Sequence, residues 1–140
     1  MGLCSELVPV VTDGDRADIS LTPKVFKEFK KAKEDMRAAV LRTMRAYACN
    51  GQVMNKERYR KETTLTIQKK TRHSITVFAF KAFQLRVYGG DCQISGRRTW
   101  VGTGIDICKK KDKTAPERLK AAAEKLAEVV EAAREESDHG

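Results

Sequence analysis

Residues Phe80–Lys113, FKAFQLRVYGGDCQISGRRTWVGTGIDICKKKDK, hold two apolar, strand-like runs, Phe83–Tyr88 and Thr99–Ile107. Lys81, Arg86, Arg97, Arg98, Lys109, Lys110, Lys111 and Lys113 stand inside these runs or close beside them. Surface strands carry cations routinely, and their bland reading is a solvated rim. Here they lie beside Tyr88 and Trp100 in a chain of formal charge +9. An arginine on a rigid strand can hold a phosphate through two parallel hydrogen bonds with little loss of side-chain freedom. The stretch therefore points to a polyanion partner, RNA or DNA.

The charge is concentrated. Residues 56–72 carry seven cations against two acids, and residues 73–113 eight against three. Residues 114–140 reverse the sign, with four cations and seven acids. A general solubility charge needs no such focus, whereas a local field that gathers phosphate does.

Working outward, Val8–Val11 reads as a short strand and Asp13-Gly14-Asp15 as a turn. Thr22-Pro23 opens a helix, with Thr22 as cap and Pro23 at a position that needs no N–H. Phe26, Phe29, Met36, Val40, Met44 and Tyr47 follow at helical spacing, up to Asn50-Gly51. Residues 55–63 read as a short second helix, completing a hairpin. Thr64–Gln68 and Ser74–Ala79 are rich in Thr, Ile, Val and Phe and read as strands. Gly89-Gly90 and Ser95-Gly96 punctuate the sequence that follows. Thr114-Ala115-Pro116-Glu117 matches a capping box, and the stripe from Leu119 to Ala133 needs an apolar surface to pack on.

The chain of 140 residues reads as one domain, 1–140, with an N-terminal extension over 1–20 and a frayed tail over 135–140. No apolar run approaches the ~20 residues that cross a bilayer, and the N-terminus has acids where a secretion signal needs cations. The expectation is a cytoplasmic protein with no membrane partner. Cys4, Cys49, Cys92 and Cys108 show no CxxC spacing and, with His73 and His139, complete no zinc pattern, so neither metal nor cofactor is expected. No paired carboxylates, GxSxG or Gly-rich phosphate loop is present. Asp91, beside two glycines, reads as a turn residue.

Cations permit one chemistry without a metal. RNA carries its own nucleophile, the 2′-OH, and a site that fixes the phosphate and stabilises the added charge can cleave the chain.

The residues Phe80 to Gly89, ending in Leu85-Arg86-Val87-Tyr88-Gly89, resemble the arginine-bearing strand of RelE/HigB-type bacterial toxins. The run Ile105–Lys113 is similar to their strand that ends in a Lys-Lys pair before an Ala-rich helix. The resemblance is loose over residues 22–134 and closer over 78–126. It implies an α+β fold: a small twisted antiparallel sheet with an N-terminal helical hairpin and a C-terminal helix packed on it. It implies a toxin held by a cognate antitoxin, cutting mRNA on the ribosome as a metal-independent endoribonuclease. Carried over, Arg86, Lys81, Lys109 and Lys110 are the catalytic set. Arg97, Arg98, Lys111, Lys113 and His73 are the candidate RNA contacts, His73 also reading as an ordinary residue at a strand start. The alternatives are a gyrase inhibitor of the ParE kind, acting by protein contact, and a non-catalytic RNA-binding relative.

Overall fold

A computed structural model describes residues 2–108 and 115–139, the last helix with side chains to Glu136. After a 3-10 turn at Leu3–Glu6, the order is β1 (Val8–Val11), β2 (Asp18–Leu21), α1 (Pro23–Phe29), α2 (Glu34–Asn50), β3 (Tyr59–Gln68), β4 (Arg72–Ala82), β5 (Leu85–Ile94), β6 (Arg97–Asp106) and α3 (Pro116–His139). The strands form one six-stranded sheet in the order β1-β2-β6-β5-β4-β3. β2 runs parallel to β6, from Asp18 opposite Thr99 to Leu21 opposite Gly102, and the other pairs are antiparallel.

Two expectations fail here. The sheet is large and mixed, not small and antiparallel, because Asp18–Leu21 is a strand that joins the N-terminal hairpin to β6. The N-terminal helical hairpin over residues 23–63 is absent. Asn55 starts a turn instead, its carbonyl accepting from the N–H of Arg58 and Tyr59 at 3.0 Å, and β3 then begins at Tyr59. Arg60 and Lys61 are exposed on this edge strand, where charge discourages pairing with another chain. The single helix expected from Pro23 to Asn50 also breaks after Phe29, and α2 starts only at Glu34. Arg37 seals the break by donating from Nη1 to the carbonyls of Lys30 (2.5 Å) and Ala32 (2.8 Å).

Local signals explain the remaining boundaries. The Thr22 hydroxyl accepts from the Val25 N–H at 3.4 Å, capping α1. Gly51 ends α2 at φ 80°, its N–H returning to the Tyr47 carbonyl at 2.7 Å. Ser95-Gly96, at φ 53° and 76°, makes a tight β5–β6 turn. The Thr114 cap expected for α3 lies outside the described residues.

Alternation along the strands sends side chains to two cores, one on each face of the sheet. Ile19, Leu21, Phe80, Val87 and Trp100 pack with Val25, Phe29, Val40, Met44 and Tyr47 of α1 and α2. Val77, Ala79, Tyr88 and Val101 pack with Ala122, Ala123, Leu126 and Val129 of α3. At about 25 cal/mol per Å2, each large side chain among these contributes on the order of 2 kcal/mol by leaving water.

β4 and β5 pair only from Phe78 opposite Gly89 to Ala82 opposite Leu85. Beyond Gly89, β5 continues with β6 alone, after a bulge between Tyr88 and Gly89. The β3–β4 and β5–β6 hairpins thus share a short seam and then part. Gly89 is required at this divergence, since a Cβ there would collide with the Val101 carbonyl.

Candidate nucleic-acid interface

The seam's closed end is the turn between β4 and β5. Lys81 stands opposite Arg86, and Arg86 opposite Asp106, so three adjacent strands contribute one row. Phe83 at the turn has φ 55°, a left-handed backbone that costs a bulky L-residue about 1–2 kcal/mol. Its ring is nonetheless 72% exposed. Arg86 holds the turn, donating from Nη1 to the carbonyls of Phe83 (2.5 Å) and Leu85 (3.0 Å). Its Nε is buried without a hydrogen-bond partner among the described residues.

Asp106 does not pair with Arg86. Its Oδ2 lies 3.9 Å from Arg118 Nε, and its Oδ1 accepts from the Cys108 N–H at 3.0 Å. β6 leaves this row toward residues 109–113. Lys109, Lys110, Lys111 and Lys113 lie outside the described residues.

Arg97 and Arg98 are at the opposite end of the sheet. Arg98 faces Gln93, seven residues along β5 from Arg86, a separation of roughly 23 Å at about 3.3 Å per residue. Arg97 pairs with Asp18 at 2.8 Å and donates to the Gly14 carbonyl at 2.5 Å, tying the N-terminal hairpin to β6. His73 is buried, with Nε2 2.7 Å from Glu131 of α3 and 3.2 Å from the Thr71 hydroxyl. Glu131 also accepts from the Thr71 N–H at 3.0 Å. These bonds, the His73 contact foremost, lower the Glu131 carboxyl to about 2. Lys69 with Glu128, and Lys70 with Glu135, complete the docking of the β3–β4 turn onto α3. The structure therefore brings Lys81 and Arg86 together and leaves Arg97, Arg98 and His73 in three other contacts.

Arg98 belongs to a cluster that sequence reasoning missed. Its Nη2 donates to Asp91 Oδ2 at 2.9 Å and to the Tyr47 hydroxyl at 2.6 Å, while Tyr47 donates to Asp91 Oδ1 at 2.5 Å. Arg98 also lies over the Tyr47 ring, 5.1 Å from its centroid. Behind it, Trp100 Nε1 donates to the Tyr59 hydroxyl at 3.0 Å, and Tyr59 stacks on Phe78 with centroids 5.2 Å apart. Burial, then the bond to Asp91, raise the Tyr47 phenol well above its ordinary range; burial and the Asp91 charge do the same for Tyr59. Both stay neutral donors at physiological pH and cannot serve as bases. Burial likewise pushes Cys4 up to about 11 and Cys92 to about 12, so neither offers a thiolate near neutrality. The one available signal for this cluster was the pairing of Asp91 with the bulge-forming Gly89-Gly90, which reads equally well as a turn.

No helix among the described residues is long and apolar enough to cross a membrane, which leaves strand-built barrels unaddressed. No family model matches the chain, and no curated protein or solved structure matches it.

Proposed function

We propose that the protein is an RNA-cleaving toxin that engages mRNA at the β4–β5 turn and is neutralised by a cognate antitoxin. The observation that carries this reading is Phe83, kept exposed at an unfavourable backbone angle between Lys81 and Arg86. Strained backbone persists where the surroundings enforce it and where it serves a function. An exposed ring stacks on an unpaired base, and flanking cations take the neighbouring phosphates. Lys109 and Lys110 follow in the chain close after the strand that borders Arg86.

In the proposed reaction the RNA 2′-OH attacks the adjacent phosphorus. The P–O5′ bond breaks, leaving a 2′,3′-cyclic phosphate and a 5′-hydroxyl, and the 2′-OH proton is balanced by the proton gained at O5′. Arg86 and its neighbours stabilise the charge on the phosphorane oxygens.

The test is Arg86→Gln, which keeps a donor for the turn carbonyls but removes the charge. Cleavage of a structured mRNA, with and without ribosomes, is expected to fall about a hundredfold, with the melting temperature within a few degrees of wild type. Undiminished cleavage removes the turn from the reaction. Induction that damages DNA while mRNA stays intact rejects the RNA reading outright.

A further inference from the structure

We propose a second, separate site: the cleft between residues 51–61 and the sheet face takes one nucleotide unit of a single-stranded nucleic acid, its base on Phe78 and its phosphate on Lys56 and Lys61. The cleft measures about 550 Å3, within the range of small-molecule sites. It lies on the α2 side of the sheet, past the end of α2, whereas Arg86 points to the α3 side, three residues along β5 from the Gly89 that stands opposite Phe78, roughly 10 Å at about 3.3 Å per residue.

The floor is aromatic. Phe78 and Tyr59 are parallel within 5°, with Tyr59 buried and Phe78 half-buried. Phe78 borders both this cleft and the opening where the two hairpins part. One face of its ring is taken by Tyr59, and the rest of the half-buried ring borders these two openings. Met54 stands over the cleft at 81% exposure and supplies an adaptable apolar wall.

The rim is cationic, and two of its charges are unengaged among the described residues. Arg98 is held by Asp91, and Arg60 by Glu62 at 3.3 Å. Asp91, the one acid lining the cleft among the described residues, has its two oxygens occupied by Tyr47 and Arg98. Lys56 and Lys61 pair with no carboxylate among the described residues. A positive rim beside a half-exposed aromatic ring matches a phosphate joined to a base. An acidic peptide satisfies the cations but leaves the ring face without a partner, so the nucleotide is the better fit.

The probe is fluorescein-labelled hexathymidylate, which lacks the 2′-OH and cannot be cleaved. Binding is followed by anisotropy at several salt concentrations. Phe78→Leu is expected to weaken binding about tenfold, the scale of losing one base stack. Lys56→Gln/Lys61→Gln, both exposed and so safe for folding, is expected to lower the slope of log Kd against log salt by about 1.4, at about 0.7 per single-strand phosphate. Lys81→Gln/Phe83→Ala separates this site from the turn. If that variant alone abolishes binding while the cleft variants bind as wild type, the cleft inference is wrong and the turn stands. If the cleft variants weaken binding and the turn variant does not, the cleft is upheld and the turn falls. Displacement of the probe by hexaglutamate, with Phe78→Leu binding as wild type, shows a general anion surface and overturns the proposal.

Discussion

Replacing Asp91 by Ala removes the acceptor that holds two elements together. Tyr47 comes from α2 and Arg98 from β6, and both donate to this one carboxylate on β5. Tyr47 is 2% exposed, so its hydroxyl loses its acceptor with little access to water. Leaving a buried donor unsatisfied costs about 1–3 kcal/mol. The ion pair adds less, because Arg98 and Asp91 are 36% and 38% exposed and water screens them; pairs of this kind contribute about 0–1 kcal/mol. The expected loss is therefore about 2–3 kcal/mol, or roughly 6–12 °C in Tm for a chain of this size. Tyr47→Phe removes the donor instead and should cost about 1 kcal/mol, since the remaining carboxylate still has Arg98. In that background Asp91→Ala should cost only about 1 kcal/mol, giving a coupling of about 1–2 kcal/mol. Urea unfolding followed by the fluorescence of Trp100, the sole tryptophan and fully buried, measures all four corners of the cycle. A loss below about 0.5 kcal/mol, or equal losses in both backgrounds, would falsify the view that Asp91 clamps α2 to the sheet.

Three further outcomes follow from local features. Phe83→Gly relieves the left-handed backbone at φ 55° and should stabilise the fold by about 1 kcal/mol while reducing RNA cleavage, a split read from one melt and one assay; reduced stability would show that the ring packs rather than recognises. Glu131 is held to about 2 in the fold, below its ordinary value near 4.5, so its stabilisation is full above that ordinary value and lost as pH falls toward 2. Glu131→Gln should flatten the acid limb of the stability profile between those limits, and an unchanged limb rejects the assignment. Tyr47 and Tyr59 are raised above the ordinary phenol value, so the native state keeps protons that the unfolded chain loses; stability should fall as pH rises above about 10, and less steeply in Tyr47→Phe.

Where the sequence was legible, the signal was local. Thr22 and Pro23 cap α1, and Gly51 ends α2, because each depends on one or two residues and a hydrogen bond nearby. β4 and β6 were legible through their β-branched and aromatic runs, and Arg86 does sit on a strand. The failures were of two kinds. Asp18–Leu21 is too short to show a period, yet its pairing with β6 makes the sheet mixed. Tyr59–Thr63 carries Arg60, Lys61 and Glu62, whose charge suits a helix surface and an edge strand equally; the partner strand decides, and it is distant in sequence. Of the site, Lys81 and Arg86 were named from sequence, but Phe83 was not, since only its backbone angle and exposure single it out. The Tyr47–Asp91–Arg98 cluster joins residues from three elements, and its one trace in the sequence, Asp91 after Gly89-Gly90, reads equally well as a turn.

The parallel pairing of β2 with β6 sets an order of events during synthesis. β2 is finished at Leu21, but its partner is complete only at Gly102. At roughly 5–20 residues per second, an emerging chain carries the N-terminal hairpin without that neighbour for on the order of ten seconds. Closing so long a loop has an entropic cost that no local contact offsets beforehand, so this join forms late. Ile19 and Leu21, fully buried in the finished molecule, are in the meantime an open template for mispairing with another nascent chain. A ribosome stalled before β6 emerges should therefore display an aggregation-prone intermediate, and a circular permutant that starts at β3 and brings β2 in after β6 should fold faster than the natural order.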